Sequence, residues 1–128
     1  MLKRHNPGAV APPLARYSHA IEVPPGARWL HLSGQVGVRP DGTLAEGPQA
    51  QIEQTWANIL ALLQAAGMSV HDLVKVTVFL TDPAHIQLQR EVRQRVLAGV
   101  TPASTLLIVA GLAQPDLLVE IEAIAAAV

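Results

Sequence analysis

The chain has 128 residues, half of them hydrophobic and 15% charged, with a formal net charge of -1; it is long enough for one domain with an ample core and has no basic excess of the kind that holds nucleic acid. Cysteine is absent, which excludes disulfides, thiolate nucleophiles and Cys-ligated zinc. No apolar run approaches the ~20 residues of a membrane span, and Met1-Leu2-Lys3-Arg4-His5-Asn6-Pro7 lacks the apolar stretch of a secretion signal, so a soluble cytoplasmic protein is expected.

A single domain over residues 1–128 is expected, with no repeat and no linker. Pro7 to Pro13 reads as a lead-in. Tyr17 to Val23 alternates like a strand and stops at Pro24-Pro25-Gly26. Arg28 to Gly34 follows as the second strand of a hairpin, and Pro40-Asp41-Gly42 as a turn. Between Gln49 and Ala66 the period changes: Ile52, Trp56, Ile59, Leu60 and Leu63 share one helical face, and Gly67 is the stop. Leu73 to Leu80 is a strand by its β-branched content. Asp82-Pro83 then supplies an N-cap followed by proline, which opens a second helix. That helix carries Leu88, Val92 and Val96 on a stripe, with Glu91 and Arg95 as an i,i+4 pair, and reaches about Ala98 before Gly99. Ala103 to Ala110 and Leu117 to Ala125 are the last strands. The order β-β-α-β-α-β-β, with room for one more short strand at the start, predicts an α+β mixed sheet with both helices on one face. Its other face is left to solvent or to another subunit. The aliphatic composition, with 3% aromatics, fits a subunit buried against copies of itself.

Glu120 and Glu122 stand two apart in an apolar strand, and so share a face with Leu118 and Ile124. A carboxylate there can act as a general acid or base; solvated strand surface is the plainer reading. The five histidines show no zinc spacing, so no metal is expected. Arg90 and Arg93, at i,i+3, can hold an anion or simply face solvent. The Leu32–Gly37 stretch "LSGQVG" is no phosphate loop, but its glycines allow a close backbone approach.

Six stretches in order resemble the RidA/YjgF (L-PSP endoribonuclease-like) family across nearly the whole chain. They are "YSHA" at Tyr17–Ala20, "LSGQVGVRPDGTL" at Leu32–Leu44, "QIEQTWANILALLQAAG" at Gln51–Gly67, "LVKVTVFLTD" at Leu73–Asp82, "PAST" at Pro102–Thr105 and "VEIEAIA" at Val119–Ala125. The resemblance implies a chorismate-mutase-like sheet, a homotrimer with a central barrel, and clefts between subunits for a small-molecule metabolite. It implies hydrolysis of enamines or imines without cofactor. Tyr17 matches the family's cleft tyrosine, Ser33 and Gly34 its strand-end Ser-Gly, and Glu120 the acid that positions or activates water. Arg90 falls near the family's cleft asparagine. Ser104 stands where the deaminases carry an arginine that clamps the substrate carboxylate. Serine cannot reproduce that bidentate fork, so the standard activity on 2-aminoacrylate is not expected. Ser104 or Thr105 is instead expected to hydrogen-bond a neutral group. Two readings stay open, a hydrolase of altered substrate and a non-catalytic metabolite-binding trimer. Endoribonuclease activity is a third, which the near-neutral charge does not favour.

Overall fold

A computed structural model describes residues 1–128. Strand β1 (Lys3–His5) pairs antiparallel with β2 (Ala20–Glu22), a small ribbon apart from the main sheet. The main sheet contains β3 (Arg28–Val36), β4 (Leu73–Leu80), β5 (Ala103–Ile108) and β6 (Val119–Ala127), in the order β3-β6-β4-β5. Helix α1 (Gly47–Ala65) links β3 to β4, and α2 (Ile86–Leu97) links β4 to the parallel β5. The short initial strand is therefore present. The hairpin expected between Tyr17–Val23 and Arg28–Gly34 is not. Pro24 and Pro25 have no N–H to donate, so a ladder cannot run up to that turn. The strand shortens to Ala20–Glu22, and β3 instead pairs along most of its length with β6.

The core fills the space between the helices and one sheet face. Val76, Val78 and Leu80 of β4 and Val119, Ile121, Ala123 and Ala125 of β6 are buried there, at strict alternation along each strand. They meet Ile52, Trp56, Ile59 and Leu63 of α1. Leu60, expected on that stripe, is 37% exposed. Val92 of α2 is buried as expected, but Gln89 and Leu97 are buried with it. Gln89 lies inside because its Oε1 accepts from Trp56 Nε1 at 2.8 Å, a polar contact that hydropathy patterning does not register. Arg95 bonds Glu53 on α1 at 3.3 Å rather than Glu91. Both helix stops use left-handed backbone, at Gly67 (φ 69°) and at Ala98-Gly99 (φ 48° and 93°). Asp82 caps the turn before α2 by accepting from Ala84 N. The Pro40-Asp41-Gly42 turn holds as read. Asp41 accepts from the Thr43 hydroxyl and backbone N–H, which keeps its carboxyl below the usual carboxylate range.

The opposite sheet face has no helix. Trp29 and Leu107 are 54% and 46% exposed, and Trp29 stacks on His31 with 6.4 Å between centroids.

Candidate functional site

The sheet sorts the candidate residues by side. In β5, Ser104 pairs with Val76 and Thr105 with Thr77, so Ser104 points to the helix side and Thr105 to the open face. Thr105 Oγ1 there accepts from Lys75 Nζ at 2.6 Å. Ser104 and Thr105, the two hydroxyls expected to serve a neutral ligand group, thus face opposite sides of the sheet.

On the helix side, Ser104 lines a cavity of about 440 Å³ between α2, β5 and the segment Leu14–Tyr17. That segment is fixed by Ser18, which is buried. Its hydroxyl donates to Thr101 O at 2.6 Å, and its N–H donates to Pro102 O at 3.1 Å. Ser18 also bridges Ala103 in parallel, which carries Tyr17 to the cavity wall beside Ser104. Arg90 lines the same cavity and is exposed.

The structure draws attention to a neighbour one turn along. Arg93 Nη1 donates to Ser104 Oγ at 2.6 Å. Arg93 is half-buried, and desolvation holds its pKa below the usual guanidinium value. Arg93 thus departs from the solvated helix face that its spacing allowed. The i,i+3 relation to Arg90 carried the signal; contact with a strand eleven residues downstream did not show in the sequence.

On the open face, the second group gathers around Glu120. The β3–β6 register slips between Leu32 and Gln35, which makes Ser33-Gly34 a bulge. Glu120 lies over this bulge: a Cβ placed on Gly34 would be 1.9 Å from Glu120 Oε2. Glycine is required because the carboxylate fills that space. Gly34→Ala is expected to leave folding nearly unchanged, since the clashing atom ends a flexible side chain, but to push the carboxylate out of place. Thermal melts should match wild type while any Glu120-dependent turnover falls at least tenfold. Glu122 is exposed on the same face. No group of three His, Asp or Glu side chains converges anywhere, and no helix is long and apolar enough to cross a membrane.

The sheet therefore divides the candidate residues into two groups, Tyr17, Arg90 and Ser104 on one side and Ser33, Gly34 and Glu120 on the other. Residues 8–127 match the family model described as Endoribonuclease L-PSP. A RutC family protein of Pyrococcus horikoshii is 36% identical over 115 residues, 88% of each chain. The 2-iminobutanoate/2-iminopropanoate deaminase of Mus musculus is 36% identical over 121 residues, 93% of this chain and 84% of that one. Among solved structures, the Rid-family protein YyfB from Yersinia pestis superposes with a TM-score of 0.88 at 33% identity, covering 97% of both chains.

Proposed function

The chain belongs to the endoribonuclease L-PSP family, the RidA/YjgF group, and from that premise we propose a cofactor-free hydrolase of small enamines or imines that acts as a homotrimer. The observation that carries this is the division of the site. Glu120 rests over the bare backbone of Gly34 on a sheet face with uncovered Trp29 and Leu107, while Tyr17 and Ser104 line a cavity on the far side. A subunit packed on the open face sets the Glu120 group of one copy against the Tyr17 cavity of the next. The cleft between them is the site.

In this cleft an enamine first gains a proton from solvent at carbon and returns one to solvent from nitrogen, which gives its imine. Water oxygen then bonds to the imine carbon as the C=N pair moves to nitrogen. Glu120 accepts a water proton and passes it to that nitrogen. The carbinolamine hydroxyl then loses its proton through Glu120 to the amine, the C–N bond breaks, and a keto acid and ammonia leave. The Ser33-Gly34 backbone and the Tyr17 hydroxyl position the ligand. The preferred substrate is another imine than that of 2-aminoacrylate, because the cation nearest position 104 reaches it from a helix and would hold a carboxylate at a shifted place.

Light scattering should give three times the 13.6 kDa chain mass. Imines generated in place from a series of amino acids should release ammonia faster with the protein present, and larger imines should outpace 2-aminoacrylate. A monomeric mass, or no acceleration with any imine, overturns the proposal. A non-catalytic metabolite-binding trimer is the second reading. The contact between Arg93 and Ser104 favours it, since it holds a guanidinium at the cavity wall without requiring chemistry.

A further inference from the structure

We infer that Arg93, a residue of α2, is the group that seats the ligand's carboxylate in this chain. This rests on the cavity beside Ser104 being the ligand site. Three guanidiniums, from Arg16, Arg90 and Arg93, line that cavity, and no carboxylate does. The ion pairs of the chain, His5–Glu22 and Arg95–Glu53, involve none of the three. Arg16 and Arg90 are exposed and hydrated, but Arg93 is not. Its Nη2 is shut off from solvent with no hydrogen-bond partner. A guanidinium keeps its charge at every physiological pH, and a buried charge without a partner is strongly unfavourable. The missing partner is an anion, and the cavity is where one can enter.

The donors suit a carboxylate. Ser104 Oγ accepts from Arg93 Nη1, which leaves its own O–H free to donate. The hydroxyl and the guanidinium edge form a two-point contact for two carboxylate oxygens, with a small rotation of Arg93 bringing the unpaired Nη2 into play. A phosphate needs more converging donors than this pair supplies. Arg90 and Arg16, at the rim, raise the local concentration of anions without fixing them.

The test is calorimetric titration of the full-length protein with 2-oxobutanoate and, separately, with inorganic phosphate. Arg93→Gln should weaken 2-oxobutanoate binding by about 10- to 100-fold, the worth of a charge-assisted hydrogen bond, with the assembly mass unchanged. Arg93→Lys should recover part of the loss. Arg90→Gln should alter affinity slightly and only at low salt. Equal affinity in Arg93→Gln, an altered assembly mass in that variant, or phosphate binding as tight as 2-oxobutanoate overturns the inference. Where Arg93→Gln does not fold, Ser104→Ala serves instead, with a several-fold loss expected and unchanged affinity overturning it. Arg93-dependent binding without turnover would retain this inference and reject the hydrolase. Turnover with Arg93-independent binding would do the reverse.

Discussion

Replacing Glu120 by glutamine should reduce imine hydrolysis by about 10²- to 10⁴-fold, the usual worth of a positioned general base, while leaving the fold intact. The substitution keeps size and shape, so the amide still fits above Gly34, where the carboxylate now fills the place of a Cβ. It lies on the helix-free face, on a strand whose core residues Val119, Ile121, Ala123 and Ala125 point the other way, so stability should stay within about 0.5 kcal/mol. An amide cannot take a proton from water. The residual rate should therefore lose any acid limb that wild type shows in its pH profile, and affinity for 2-oxobutanoate should change far less than turnover. Equal kcat in the two proteins removes Glu120 from the chemistry. Equal loss of kcat and of thermal stability makes its role structural.

Trp56→Ala should be the most damaging single substitution in the core. Trp56 is fully buried at the centre of α1 and is the largest side chain in the cluster. Removing an aromatic from such a position costs about 3–5 kcal/mol, against a total of roughly 5–15 kcal/mol for a domain. Gln89 Oε1 also loses its donor. Trp56→Phe separates the two contributions: most of the volume stays, the N–H goes, and the loss should shrink to about 1–3 kcal/mol. Urea denaturation at one fixed protein concentration measures both, since assembly links stability to concentration. Because Gln89 lies on α2 and lines the ligand cavity, Trp56→Phe should also weaken 2-oxobutanoate binding.

Helices and core strands were legible because their signals are local. The stripe of α1, the β-branched run of β4 and the Asp82-Pro83 cap each sit within a few residues. Pairing was less so: β6 comes last in the chain yet lies between β3 and β4, and only the prolines at 24 and 25 hinted that the first hairpin would not close. The site was legible in part. Motif matching selected Tyr17, Ser33, Gly34, Ser104 and Glu120, but alternation alone could not say that the sheet would part them. It set Arg90 near the family's cleft asparagine because it compares positions in order. Arg93 meets Ser104 through the packing of α2 on β5, which no position-by-position comparison records. Gln89 was missed because a buried glutamine reads as surface until its tryptophan partner is found.

The Arg93–Ser104 contact bears on how such a site can change over generations. Two guanidiniums cannot occupy one partly buried spot without repulsion, and a pocket with neither has no cation at this point. Placing arginine at position 104 alone is therefore expected to weaken ligand binding in this background. The two positions are expected to be epistatic, the double exchange Arg93→Ser with Ser104→Arg binding better than Ser104→Arg alone. A lineage passes between the two arrangements only by changing both, or by crossing an intermediate that binds its ligand poorly. In this chain the cation is defined by its place in space, on α2 beside Ser104, and not by its place in the strand motif.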